Sequence, residues 1–363
     1  MKIVRVEIRP YRLRYKEAFS LATGDLEDAP LVFILVHTDE GLTGVGYAPG
    51  SAPFIDGETQ ESIVTAITHI MEPVLLGQDP CNIEQMMTDV DRKLQFNYRS
   101  KAGVEIALYD LLGKSLNLPL FKLWGGLCRE NVPVLRMVGI ASPDAMAARA
   151  KNLVDQGFCY LKIKIGRDTK GDLDRIRAIR DAVGTKIGIY VDANQGYTVK
   201  EAITTMRALE KYEISLVEQP VRADDIEGLA LVRKSIGIPV EADESVRNLS
   251  DVLSIIKLGA ADFVSLKPFK FGGFRPMRKI LTLCEAANIK CLVGTTPGSS
   301  LIDAANVHFI TSSPSIDSPC EIGESFRMQN DPVTGLKITN GFANILYGPG
   351  IGINLELEAL GEA

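Results

Sequence analysis

Residues 186–220 read KIGIYVDANQGYTVKEAITTMRALEKYEISLVEQP. A short apolar run, KIGIYVDAN, leads into VKEAITTMRALEKY, where apolar residues recur at helical spacing, and then into a second apolar run, ISLVEQP. Strand, helix, strand within one short segment is a β/α unit. The rhythm continues on both sides. Strand-like runs stand at VPVLRMVG, CYLKIKIG, PVEADES, DFVSLKP, KCLVGTT and SPCEIGES, separated by helical patterns such as DLDRIRAIRDAVG, DIEGLALVRKSIG, VLSIIKLG and FRPMRKILTLCEAAN. Eight strand signals alternating with helices are the pattern of a closed (β/α) barrel. A doubly wound open sheet is the competing fold, but no GxGxxG follows a first strand.

The flanks differ in character. Residues 1–50 read as a β-meander turning at Asp39-Glu40-Gly41, and residues 59–78 and 82–117 read as helices, the second stopping before Pro119. The expected organisation is therefore an α+β capping domain over 1–125, a barrel over 126–325, and a tail over 326–363 that returns to the capping domain. The chain has 363 residues, enough for two domains or for a large barrel with an added piece.

Bulk composition excludes several classes of function. A hydrophobic content of 46% with 24% charged residues is that of an ordinary globular protein. The net charge of −6 argues against nucleic acid as a partner, since phosphate binding needs a basic surface. The longest apolar runs, such as PLVFILV at 30–36, are far too short to span a bilayer. The start, MKIVRVEIRPYRL, alternates like a strand and lacks the apolar core of a signal peptide. Six scattered cysteines with no CxxC pair fit neither a zinc site nor a redox motif, so a cytoplasmic protein is expected.

The chemistry lies at the strand ends. Asp192, Glu218 and Asp243 end the third, fourth and fifth barrel strands, 26 and 25 residues apart, and Lys267 ends the sixth, 24 residues further on. Barrels of this kind build their active sites at the C-terminal ends of the strands. Three carboxylates converging there need a cation, and oxygen donors on rigid strands suit Mg²⁺, with Mn²⁺ an acceptable substitute, better than zinc. Asn194, Gln219 and Glu244 adjoin these acids and read as groups that orient them, or as purely structural residues.

The second strand poses its own question. In CYLKIKIGRD, residues 159–168, Lys162 and Lys164 share one face while Leu161, Ile163 and Ile165 share the other. One reading is an exposed edge strand guarded by lysines; the other is a pair of cations beside an acidic cluster. On the second reading, strands two and six lie opposite one another in an eight-strand barrel. Lys164 and Lys267 then face each other across the cavity, one able to remove a proton from one side of a carbon and the other able to return one from the opposite side. Lys162 would supply positive charge that lowers the pKa of a catalytic lysine, or would contact the developing anion.

At these residues the sequence resembles the enolase superfamily, in its muconate lactonizing enzyme subgroup. The matching motifs are LKIKIG, VDANQGY, VEQP, EADES and LKPFKFGG, in order and at barrel spacing along essentially the whole chain. The resemblance implies an N-terminal capping domain on a (β/α)₇β barrel, metal ligands Asp192, Glu218 and Asp243, and acid/base roles for Lys164 and Lys267. It implies a Mg²⁺-dependent racemase or epimerase working through an enediolate, on a dipeptide or an N-substituted amino acid; the alternative is a muconate-type cycloisomerase or a syn-dehydratase. Strand seven, CLVGTT, lacks the histidine base of the mandelate racemase subgroup. Strand eight reads SPCEIGES, with Glu321 and Gly323 where dipeptide epimerases of the subgroup carry an Asp-x-Asp pair.

Substrate choice is expected in the glycine-containing loops near 18–28 and 50–58, represented by Phe19 and Phe54. Thr295, Thr296, Ser299 and Glu321 are expected to line the far side of the pocket. Glu321 either accepts a hydrogen bond from substrate or braces a neighbouring loop. KFGGF at 270–274 looks like a phosphate-cradling loop but reads better as the turn after Lys267. The expected partner is a small carboxylate, with neither nucleic acid nor membrane; a homo-oligomer is left open.

Overall fold

The computed structural model describes residues 1–21, 24–51 and 57–361, with the side chains of 18–26 left aside. The N-terminal meander forms as expected: Ile3–Leu21, Gly24–Thr38 and Thr43–Pro49 pair antiparallel in sequence order. Their apolar face, including Val32, Ile34 and Val36, packs on the helices that follow. The 82–117 segment is two helices rather than one, Ile83–Lys93 and Tyr98–Leu116. Between them Phe96 and Asn97 take left-handed backbone angles, with φ of 55° and 51°, which no continuous α-helix tolerates.

Seven parallel strands follow in sequential order: Leu135–Val138, Tyr160–Lys164, Gly188–Asp192, Ile214–Glu218, Val240–Ala242, Phe263–Leu266 and Lys290–Val293. The eighth is a short segment at Cys320–Glu321. The Cys320 N–H donates to the Pro133 carbonyl at 3.0 Å and the Leu135 N–H to the Cys320 carbonyl at 2.8 Å, while the Glu321 N–H donates to Val293 at 2.9 Å. Those bonds join the last strand to both the seventh and the first, so the barrel is closed. A helix lies between each successive pair, from Pro143–Asp155 to Ser300–Thr311, which makes a (β/α)₇β barrel.

Lys162 and Lys164 are therefore not on an edge. Their strand is paired on both sides, Leu161, Ile163 and Ile165 are shut into the shell between strands and helices, and both lysines point inward. The tail divides its contacts. Met328–Gln329 adds to the first strand of the meander at Arg14 and Tyr15. Phe342–Ala343 instead pairs with Val132–Pro133 at the entry to the barrel. Among the described residues no helix is long and apolar enough to cross a membrane.

One histidine staples these pieces together. His308, fully buried on the last helix, accepts the Phe121 N–H on Nδ1 at 3.3 Å and donates from Nε2 to the Ile351 carbonyl at 2.9 Å. Burial lowers its pKa to about 4, so the folded state resists the proton that the unfolded chain takes up near pH 6.5. Stability from this residue is present above about pH 6.5 and falls away toward pH 4, by roughly 3 kcal/mol in all. Urea titrations of wild type and His308→Gln across that range should show the gap between the two narrowing as the pH drops; a constant gap would contradict it.

Candidate active site

Register places the ionisable groups. Lys164 lies directly across from Asp192, and Asp192 from Glu218, on neighbouring strands. Glu218 is level with Glu241, so Asp243 projects two residues further toward the mouth. The expected acids and lysines thus come together at one end of the barrel, with Lys164 and Lys267 on strands four apart.

Their hydrogen bonds are specific. Lys162 Nζ stands between three carboxylates, at 2.5 Å from Glu218, 2.5 Å from Glu321 and 3.0 Å from Asp192. Lys164 Nζ donates to Asp192 Oδ2 at 2.5 Å and to Asn194 Oδ1 at 2.9 Å. Lys267 Nζ donates to Asp243 Oδ2. Its stem has room only because residue 294 is glycine: a Cβ there would lie 2.4 Å from Lys267 Cε.

Asn194 and Gln219 link strand ends. Asn194 also donates to Glu244 at 3.2 Å. Gln219, fully buried, accepts the Asp243 and Ser245 N–H groups at 3.0 and 3.1 Å and donates to Ser245 Oγ at 2.7 Å. It ties the end of strand four to the end of strand five. Asn194 and Gln219 hold φ of 40° and 35°, strained values for residues with a Cβ, of the kind that collects at functional sites.

Other expectations change. Glu321 is held by both oxygens: Oε1 takes Lys162, and Oε2 takes the Thr295 N–H at 3.0 Å. Ser299 is fully buried and gives its hydroxyl to Asp331 at 2.8 Å while capping the last helix, so it serves the joint to the tail rather than lining a cavity. Thr295 is mostly buried and Thr296 is half-buried beside it. Phe54 and the side chain of Phe19 lie outside the described residues.

Two charged groups were missed by the sequence reading. Lys270 donates to Asp243 Oδ1 at 2.6 Å, to the Asp243 carbonyl at 2.8 Å and to the Ser265 carbonyl at 3.0 Å. Glu241 is fully buried, with no hydrogen bond to either oxygen from the described residues. The second lysine of LKPFKFGG and the i, i+2 spacing of Glu241 and Asp243 were the available signals.

Electrostatics follow from this crowding. Burial works against the charge on Asp192, yet Lys162 and Lys164 outweigh it and hold the carboxyl below its ordinary range. Asp243 is likewise lowered, by Lys267 and Lys270 against burial. Burial with neighbouring acids pushes Glu218 well up, and raises Glu241 to about 8 and Glu244 to about 7. Burial opposes the charge on Lys162 and Lys267, but the surrounding carboxylates raise both.

Six carboxyl groups (Asp192, Glu218, Glu241, Asp243, Glu244, Glu321) thus face four ammonium groups (Lys162, Lys164, Lys267, Lys270), and the raised Glu218, Glu241 and Glu244 show that four cations do not keep all six acids ionised together. Glu218 Oε1 and Glu244 Oε2 are buried and have no hydrogen-bond partner among the described residues. An all-oxygen donor set with open acceptor positions, whose acids need further positive charge to ionise together, fits a divalent hard cation. Among the described residues no three such side chains already form a metal cage. The expected convergence of Asp192, Glu218 and Asp243 is therefore met only in level: Lys162 stands between the first two, and Asp243 is taken up by Lys267 and Lys270.

Known proteins match along the whole chain. Residues 3–125 match the mandelate racemase/muconate lactonizing enzyme N-terminal domain, and residues 145–359 the enolase C-terminal domain-like family. The N-succinyl-L-Arg/Lys racemase of Bacillus cereus is 34% identical, over 100% of this chain and 98% of that protein. Its crystal structure superposes with a TM-score of 0.96, covering 99% of this chain and 97% of that one. The hydrophobic dipeptide epimerase of Enterococcus faecalis is 35% identical over 92% of this chain and 94% of its own, and has been crystallised with Mg and L-Leu-L-Tyr. Muconate cycloisomerase 1 of Rhodococcus opacus is 30% identical over 99% of this chain and 98% of that protein. The chain belongs to the mandelate racemase/muconate lactonizing enzyme family of the enolase superfamily.

Proposed function

We propose that this protein is a Mg²⁺-dependent racemase or epimerase that exchanges the proton α to a carboxylate of an N-acylated amino acid or a dipeptide. The observation that carries the reading is the pair Lys164 and Lys267, four strands apart, each hydrogen-bonded to a different carboxylate of one cluster. Asp192, Glu218 and Asp243 would hold the metal. Mg²⁺, when bound, supplies positive charge that holds the substrate carboxylate and offsets the enediolate character it gains as the α-proton leaves.

The rest is the work of the chain. One lysine takes the α-proton on one face and the other delivers a proton on the opposite face, inverting the centre. Both must cycle between amine and ammonium, so the carboxylates that now favour the charged form of Lys267 must be drawn off it. Gln219 and Asn194 fix the acids so that this exchange of partners needs no backbone rearrangement.

Glu321 supports an N-acylated substrate over a free dipeptide. Its two oxygens are engaged, and Glu324, the next acid along, is paired with Arg136 and Arg327. A substrate ammonium at the eighth strand would therefore meet carboxylates already paired with cations, Glu321 with Lys162 and Glu324 with Arg136 and Arg327. The first relative named above acts on N-succinylated amino acids, in accord with this. Six free cysteines accord with the reducing cytoplasm as its location.

The test is to incubate single stereoisomers of N-succinyl and N-acetyl amino acids and of dipeptides with Mg²⁺ or with EDTA, and to separate the products on a chiral column. Interconversion only with Mg²⁺, strongest for N-acyl compounds, is expected. Products of altered connectivity would instead support cycloisomerisation or elimination, a second reading favoured by the 30% identity to a muconate cycloisomerase.

A further inference from the structure

Glu105 sits in the middle of the capping-domain helix Tyr98–Leu116 and has 0% accessible surface. A carboxylate at such a position is costly to bury; burial raises its pKa to about 7. Its surroundings explain why it is there. Glu105 Oε1 accepts the Arg275 N–H at 2.8 Å, at the start of the barrel helix Phe274–Ala286. A Cβ on Gly273, whose φ is +128°, would lie 2.3 Å from the Glu105 carboxylate. The second glycine of LKPFKFGG is thus required by a residue of the other domain.

Residues 267–273 form one compact turn. The Lys270 N–H donates to the Lys267 carbonyl at 3.0 Å, and the Gly272 and Gly273 N–H groups both donate to the Pro268 carbonyl, at 3.0 and 2.9 Å. Lys267 opens this turn and Gly273 closes it. The capping helix lies along it: a Cβ on Gly272 would touch Tyr98 and Lys101, so Tyr98, Lys101 and Glu105, three and four residues apart, face it together. Phe269, inside the turn, meets Tyr47 of the meander at a ring separation of 5.1 Å. The capping domain thus holds the turn along one side, and Glu105 is the point where a buried carboxyl group, accepting the Arg275 N–H, fixes its end.

We propose that Glu105 is a positioning residue for Lys267, fixing the 267–273 turn from the capping domain. This rests on the two-lysine reading above. Loss of the anchor lets the turn shift, and a shift of about 1 Å at a reacting group costs up to ~10²-fold in rate. Lys164, on the far side of the barrel, is untouched by that shift. The consequence is an asymmetry that general damage to the fold would not produce.

The experiment measures α-proton exchange from each stereoisomer of a turned-over substrate in D₂O, for wild type, Lys267→Ala, Glu105→Ala and Glu105→Gln. Lys267→Ala identifies the isomer that Lys267 serves. Glu105→Ala should slow exchange from that isomer by roughly 10- to 100-fold and from the other less than about 2-fold. Glu105→Gln, which keeps an acceptor for the Arg275 N–H, should recover most of the loss. Should Glu105→Ala fail to fold, Gly273→Ala, which crowds the same carboxylate, should give the same asymmetry. Equal slowing of both isomers, or none, in a folded Glu105 or Gly273 variant while Lys267→Ala remains asymmetric would overturn this inference alone. Symmetric loss in Lys267→Ala would overturn the two-lysine reading and this inference with it.

Discussion

Lys267→Ala should lose α-proton exchange from one stereoisomer by about 10²–10⁴-fold while keeping it from the other, and Lys164→Ala should show the reverse preference. Each variant retains one base, which can still remove a proton from its own face and return solvent deuterium there. Exchange without inversion is therefore the expected residual activity. Neither change strands a buried charge. Asp243 keeps Lys270 when Lys267 is lost, and Asp192 keeps Lys162 and the Asn194 N–H when Lys164 is lost. Mass-spectrometric deuterium uptake from each pure isomer reads the outcome. Equal residual exchange from both isomers in both variants would contradict the assignment of lysines to faces.

Asp243→Asn should weaken Mg²⁺ binding by at least about 100-fold, since loss of groups that merely orient ligands already costs 10–100-fold. The barrel should stay folded. Lys270 remains anchored to the Asp243 and Ser265 carbonyls, and Gln219 still receives the residue 243 N–H. Activity should fall with metal affinity and return only partly at high Mg²⁺. Calorimetric titration of the two proteins with Mg²⁺ alone separates binding from turnover. Unchanged affinity would remove Asp243 from the ligand set.

The barrel was legible because its strand signals alternate with helical ones, and because the acids at the strand ends repeat at the spacing of one β/α unit. Lys162 and Lys164 needed that context: alone, KIK on a strand reads equally well as a guarded edge. Lys270 and Glu241 escaped because burial of a charged side chain is a tertiary property; nothing local marks Lys270 as the partner of a carboxylate 27 residues earlier. Glu321 was correctly placed on strand eight, but only the fold shows that Lys162 and Thr295 use both its oxygens. The break at Phe96 and Asn97 was hidden for the opposite reason. Their neighbours carry a helical pattern through the site, and the extended backbone of Leu94 with the left-handed angles of Phe96 and Asn97 interrupts it. Ser299 looked like a pocket residue from its position after strand seven, until the tail supplied Asp331 as its partner.

The central claim is that two lysines act on opposite faces of one α-carbon. Its most direct test is the first turnover in D₂O with Mg²⁺, started in turn from each pure isomer of a substrate the chiral screen identifies. With separate bases for removal and return, the inverted product carries one solvent deuteron at the α-carbon from the earliest time points, in both directions. Inverted product that retains the hydrogen of the starting isomer would mean that a single group carries the proton across, and would contradict the two-lysine account.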